Sequence, residues 1–172
     1  MQLLREALPT LKSVAVLFIP DSSRSLALLD GYKSAATTTK IEVLPVPVPS
    51  DRDLEAALET ATRQRAEAIT HISTPLFSTT RARIAAFAAR RRIPAISDDD
   101  AFVREGGLMS YGGDSRGLSA AYVDKILKGA KPAELPVEQP ARFVLAINLK
   151  TARALGLTLP QSLISRADQI VQ

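Results

Sequence analysis

Residues 13–19 read Ser-Val-Ala-Val-Leu-Phe-Ile, an apolar run with no alternation. A strand with one wet face alternates polar and apolar residues, because successive side chains point to opposite sides. A run without that period has both faces covered, which is the condition of a central strand in a parallel sheet. The segment after it, Pro20-Asp21-Ser22-Ser23, has loop and helix-capping chemistry. This start predicts a strand that feeds a helix, and so a βαβ architecture.

The pattern then recurs. A short helix over residues 2–8 precedes the first strand and stops before Pro9. Residues 25–36 form a helix whose expected buried side is Leu26, Leu28, Leu29 and Tyr32. Residues 40–46 are a second strand, which Pro45 marks as an edge or an end. A helix capped by Ser50 or Asp51 runs to about residue 65, with Leu54, Ala57, Leu58 and Ala61 at helical spacing. Residues 68–73 are a third strand. Thr74–Phe77 is a loop, and Ser78-Thr79-Thr80 caps a helix to about Arg92. Residues 93–97 and 108–111 are further strands, separated by one turn of helix that Asp98-Asp99-Asp100 caps and Gly106 ends. Strand and helix thus alternate five times. The expected fold is a three-layer α/β/α unit on a mostly parallel sheet.

Composition narrows the function. The 172 residues carry a net charge of +4, yet acids and bases interleave, Trp is absent and aromatics are only 5%. A nucleic-acid binder gathers its cations on one face with aromatics among them, so nucleic acid is not an expected partner. The dense cluster, Arg90-Arg91-Arg92, ends a helix, where cations suit the last carbonyls. With no Cys, disulfides, thiolate metal sites and Cys nucleophiles are excluded. No stretch approaches the roughly 20 apolar residues of a membrane span, and Met1–Ser13 does not read as a signal peptide.

In open α/β sheets a ligand sits at the carboxyl ends of the strands. Those ends are rich in Ser, Thr, Asp and Pro: residues 21–23, 47–50, 74–78, 97–100 and 111–114. Several open into helix N-termini, which suit a carboxylate or another anion. Taken one at a time, such residues are ordinary caps. Taken together they form one rim, and the rim is the candidate ligand site.

No constellation for catalysis is visible, so the chain is not expected to be an enzyme or to need a cofactor. There is no phosphate-binding G-x-x-x-x-G-K-[ST], no G-x-G-x-x-G after the first strand, and no G-x-S-x-G elbow. The single His, His71, lies between apolar neighbours in the third strand and reads as a packed core residue rather than a base or ligand. Asp98–Asp100 invites comparison with the Mg²⁺ site of receiver domains. The places of the acceptor Asp and the Lys hold Ser73-Thr74 and Gly112-Gly113, so an N-cap is the better reading.

Beyond residue 111, a helix over 118–128 carries Ala121, Tyr122, Ile126 and Leu127 on its apolar side and closes at Gly129. Pro132 and Pro136 mark an extended connector. Residues 143–147 are a sixth strand, Asn148 caps a helix to Leu155, and Pro160 opens another to about Ala167.

These residues carry a resemblance. The run Tyr122–Pro140 (YVDKILKGAKPAELPVEQP), followed by Ile147–Asp168 (INLKTARALGLTLPQSLISRAD), resembles the C-terminal signature of a bacterial family of ABC-transporter substrate-binding proteins that includes tryptophan-binding members. Residues 94–112 (PAISDDDAFVREGGLMSYG) are similar to the same family's fourth and fifth strand region. The resemblance implies a type I periplasmic-binding fold with a flavodoxin-like strand order, in which two α/β lobes hold a small molecule between them. It implies that residues 1–111 are the second lobe, that 112–139 cross the hinge and dock a helix on a first lobe outside this chain, and that 140–172 return. It also implies a periplasmic location with the export signal outside the chain, a small-molecule solute such as an amino acid, and a membrane permease as partner. The ligand contacts implied are Asp21, Ser22 and Ser23, Thr74 and Pro75, Ser97 and Asp98, and Tyr111 and Asp114. With no first lobe, the apolar side of helix 118–128 is expected to be exposed or to drive self-association.

Two departures from the family pattern stand out. Tryptophan-type members place an Asn near the first loop, where this chain has Pro-Asp-Ser-Ser-Arg, so the solute's identity is open. Residues 112–121 are about one helical turn shorter than usual, which predicts a late start or a different docking for the helix that follows. The competing readings are a ligand-sensing regulatory domain of the same fold, which would need a DNA-binding helix-turn-helix, and a flavodoxin- or receiver-like domain.

Overall fold

The computed structural model describes residues 1–114, 116–136 and 142–172, the side chains of residues 116–119 excepted. The first strand, β1 (Ser13–Phe18), is buried at every position. It lies between β2 (Glu42–Pro47) and β3 (Ala68–His71), parallel to both. The unbroken apolar run thus has its physical cause: both faces are covered by helices. β2 is an edge strand, where the missing N–H of Pro45 costs no ladder bond.

The sheet continues through a single bridge, Ile69 to Ala95, to a four-stranded part ordered β4 (Ile96–Ser97), β5 (Met109–Gly113), β6 (Phe143–Asn148), β7 (Gln169–Val171). The first five strands therefore lie in the order 2-1-3-4-5. All pairs are parallel except β5 with β6.

Two apolar clusters flank the sheet. One is closed by α1 (Gln2–Ala7), α2 (Ser23–Thr39), α7 (Leu149–Ala154) and α8 (Gln161–Ile164). The other is closed by α3 (Leu54–Arg63), α4 (Pro75–Arg91) and α5 (Asp100–Arg104). The three-layer α/β/α fold is the one the alternation of strands and helices implies. On the second face, ion pairs link α3 to α4. Arg83 reaches Asp51 and Glu55, and Arg91 reaches Glu59 at 2.5 Å.

Several local expectations are corrected. α4 starts a turn earlier than the Ser78–Thr80 cap implies: Thr74 is its cap and Pro75 its first residue, a place that needs no N–H donor. The helix expected from Asp51 begins as a 3-10 turn, Asp51–Asp53, and ends at Arg63. Leu26 and Leu28 on α2 are not buried; they remain 44% and 43% exposed, while Ser25, Leu29 and Ala36 face the core. The fourth strand is two residues rather than five, and the fifth extends to Gly113. The Pro132–Pro136 connector contains a 3-10 turn at Pro132–Glu134.

The helix α6 (Arg116–Leu127) starts two residues before the expected Leu118, not late. The last helix is one turn, Gln161–Ile164, and the chain then forms β7, which the sequence pattern did not suggest. Residues 115 and 137–141 of the shortened segment and of the return lie outside the described residues.

Candidate ligand-binding site

Two adjoining hollows lie where β4 and β5 end. The first has a volume of about 380 Å³. One wall is α2, which presents Leu28, Gly31, Tyr32 and Ala35. The sheet supplies Thr70 of β3, Ile96 and Ser97 of β4, and Met109 and Tyr111 of β5; α1 closes the far side. The second is an acidic recess of about 300 Å³, lined by Asp98, Asp99, Asp100, Asp114, Gly112, Gly113 and Val144. Asp98 lines both.

The local chemistry explains the arrangement. Ser97 is buried, and its hydroxyl accepts from the Asp99 amide at 3.0 Å and lies 3.5 Å from an Asp98 oxygen. That hydroxyl turns the chain sharply at the strand end. Asp99 then caps α5 by accepting from the Ala101 amide at 3.0 Å, and Arg81 holds it from α4 at 2.7 Å. Asp98 is left facing outward, and it forms no ion pair among the described residues. Tyr111 is 47% exposed and stacks on Phe143, with ring centroids 5.3 Å apart. Tyr32 is half-buried. Burial pushes its phenol up from the usual value, Thr70 beside it pulls the other way, and the charge of Asp98 pushes it up again. It is a neutral hydrogen-bonding group at physiological pH.

Of the residues implied by the resemblance, the structure gathers Ser97, Asp98 and Tyr111 around the first hollow and Asp98 with Asp114 around the second. The others stand apart from both. Asp21 is exposed in the turn after β1, Ser22 caps α2 through the Ser25 amide at 3.2 Å, and Ser23 is an exposed first residue of α2. Thr74 caps α4 through the Phe77 amide at 3.5 Å, and Pro75 follows it.

Sequence reasoning missed Leu28, Tyr32, Thr70, Ile96 and Met109 as lining groups. A signal existed for the α2 wall: Leu28, Gly31, Tyr32 and Ala35 recur at i, i+3, i+4 and i+7, the spacing of one helix face. The same spacing marks a core face, which is how it reads without the structure.

His71 lies outside both hollows. It is packed on the opposite face, 5.2 Å from the Phe77 ring and 5.8 Å from Phe102. Burial holds its imidazole below the usual value, and Asp98 and Asp99 oppose this. Among the described residues, no group of three His, Cys, Asp or Glu side chains could hold a metal ion.

A family model for ABC transporter substrate binding protein matches residues 1–171. The chain belongs to this family. ABC transporter substrate-binding proteins are solute-binding proteins, not enzymes. The fold is shared with a conserved domain protein from Vibrio cholerae at 24% identity and a TM-score of 0.87, with 98% of this chain and 58% of that one covered. It is shared equally with an ABC domain in complex with L-Trp from Streptococcus pneumoniae, at 25% identity and 0.86, covering 99% and 60%. A ligand-free, open substrate-binding protein with adhesive properties from Clostridium difficile has 18% identity and 0.74, covering 99% and 58%. The chain thus spans about three-fifths of the length of these relatives. No curated protein sequence matches it. No helix among the described residues is long and apolar enough to cross a membrane.

Proposed function

We propose that this chain is the second ligand-binding lobe of the solute-binding component of an ABC-type uptake system. It would take a small molecule, such as an amino acid, between itself and a first lobe, and deliver it to a membrane permease from the periplasmic side. Residues 1–111 are the lobe, 112–139 the hinge crossing with its docking helix, and 140–172 the return. The observation that carries the reading is the hollow of about 380 Å³ at the ends of β4 and β5, apolar on α2 and polar at Thr70, Ser97 and Asp98. Its size lies in the range of small-ligand sites, and its mix of aromatic walls with a few polar groups is theirs too. The apolar residues of α6 agree with a docking role: Val123, Ile126 and Leu127 are 56%, 41% and 82% exposed.

Half a cleft binds weakly, because the groups that would enclose the solute's other side are absent. Titration of the ¹⁵N-labelled chain with L-tryptophan and the other common amino acids tests the reading. The expected result is weak, saturable shifts confined to the amides of Tyr32, Thr70, Ser97, Asp98 and Tyr111. Sub-micromolar binding by the chain alone would show a complete site and overturn the half-cleft reading. No shift at these amides with any member of the panel would remove the amino-acid assignment.

A further inference from the structure

We infer that the amino edge of the sheet, opposite the strand ends that carry the solute hollow, is a docking surface for an anionic lipid bilayer. β1 to β4 run parallel in the spatial order 2-1-3-4, so their first residues share one edge. The chain enters each strand behind a cation: Lys40 before β2, Lys12 before β1, Arg65 before β3 and Arg92 before β4. Neighbouring strands lie about 4.8 Å apart, so these cations form a row across the lobe. Arg63 and Arg90, in the last turns of α3 and α4, flank the row. All six residues are exposed, and none forms an ion pair among the described residues. Arg5 adds charge at the same edge, where its guanidinium donates to the carbonyls of Thr39 and Lys40 at 2.6 and 3.2 Å. The acids among them are Glu42 and Glu67, and the Glu67 carboxylate accepts from the Lys12 amide at 2.6 Å. Glu59 is paired with Arg91. Where the edge passes to β5 and β6 it carries an acid, Glu105, and a base, Lys150.

Cations at helix ends are ordinary, because they suit the last carbonyls. The backbone beneath this row is not. Lys40, Arg65 and Arg92 are the non-glycine residues with positive φ among the described residues, at 52°, 58° and 54°. Lys40 and Arg92 end α2 and α4, and Arg65 stands one residue past the cap of α3. Glycine is the usual occupant of such a left-handed position, where a Cβ has a steric cost. A helix stop alone is better served by glycine. Three strained positions at one edge hold long cations instead, so the charge and not the turn accounts for the residue type.

The surroundings select the partner. The large exposed apolar residues lie on α2, α6, β5, β6 and β7, and none stands in this row. A protein partner needs an apolar or aromatic centre to its interface, which this edge lacks. A nucleic acid is read by a helix or ribbon in a groove, or by aromatic stacking, and the edge presents only strand starts and helix ends. Lipid headgroups need neither. They attract each nearby Lys or Arg additively and without a shaped pocket. Docking by this edge leaves the hollow at the opposite edge open to solute.

Co-sedimentation of the chain with vesicles at low salt tests the inference. One set is phosphatidylcholine alone, and the other contains about 30% phosphatidylglycerol. The chain is expected to bind the anionic set at least about tenfold more tightly, and the binding should fall as sodium chloride is added. Arg65→Gly with Arg92→Gly removes two charges and relieves two left-handed positions. Its urea midpoint should equal or exceed that of the wild type, while its affinity for anionic vesicles falls more than about tenfold, at about fivefold per cation. Arg24→Gln with Arg52→Gln makes the same change of charge at the opposite rim and should alter binding less than about twofold. Equal binding to the two vesicle sets overturns the assignment, and any membrane affinity then belongs to the apolar side of α6. Anionic binding that survives Arg65→Gly with Arg92→Gly also overturns it, as does an equal loss in Arg24→Gln with Arg52→Gln, which would reduce the effect to net charge. Equal affinity for a short double-stranded DNA at the same salt would make the edge a general polyanion surface, and the lipid assignment falls.

Discussion

Gly112 passes beneath Asp98 so closely that a Cβ at residue 112 would overlap the Asp98 carbonyl, at 1.9 Å from its oxygen. Glycine is needed here for proximity, since its φ is not in the left-handed region. Gly112→Ala must move either the end of β5 or the Ser97–Asp99 turn. Overpacking of this kind costs about 1–3 kcal/mol. The expected outcome is a lower urea midpoint with unchanged m-value, together with displaced amide signals for Ser97 and Asp98. A variant with wild-type stability and wild-type spectrum would refute the close approach.

His71 makes stability depend on pH. Burial lowers its folded-state pKa below the usual 6.5, so the unfolded chain binds this proton more readily. Above pH 6.5 both states are neutral here and the group has no effect. As pH falls below 6.5, the unfolded state protonates first, and folding stability drops by up to about 1.4 kcal/mol per pH unit until the depressed folded pKa is reached. Urea titrations of the wild type and of His71→Phe at pH 7.5 and pH 5.5 check this. The loss on acidification should be smaller in the variant by about 1 kcal/mol; parallel losses would mean that other groups set the acid limb.

Asn148 joins two elements that are remote in sequence. Its oxygen accepts from the Thr151 amide at 2.8 Å and caps α7, and its amide nitrogen donates to the buried carbonyl of Val103 at 2.9 Å. Asn148→Ala removes a cap worth about 1 kcal/mol and leaves a buried acceptor unsatisfied at a further 1–3 kcal/mol or so. A total loss of about 2–4 kcal/mol by chemical denaturation is expected. Asn148→Asp should keep the cap and lose the donor, and so fall between the two.

The exposed side of α6 predicts self-association of the chain at high concentration. Leu127 is 82% exposed and Val123 56%. In sedimentation experiments Leu127→Asp with Val123→Asp should be monomeric where the wild type associates, and should bind less apolar dye. Because both side chains are exposed, the pair should change folding stability by less than about 1 kcal/mol. A wild type that remains monomeric and binds no dye would count against α6 as a docking surface.

What the sequence determined by itself was local and periodic. The unbroken run of residues 13–19 announced a strand covered on both faces, since period-two alternation is the only record a wet face leaves. Pro45 announced an edge, and Asn148 a cap, because each follows from the hydrogen-bonding inventory of one residue. The three layers follow from the alternation of such units, whereas the strand order 2-1-3-4-5 does not, because alternation leaves open which strands become neighbours. Tertiary structure decided the rest. β6 runs antiparallel to β5 and β7 is added beyond it, pairings that depend on where a long return brings the chain. Leu28 and Tyr32 share the spacing of a core face, yet they wall a hollow, because burial is set by what packs opposite and not by the helix that carries the residue. Asp98, one of three consecutive aspartates, becomes distinct only in three dimensions: Asp99 turns to its helix and to Arg81, and Asp98, without an ion pair among the described residues, stands at the edge of an apolar hollow.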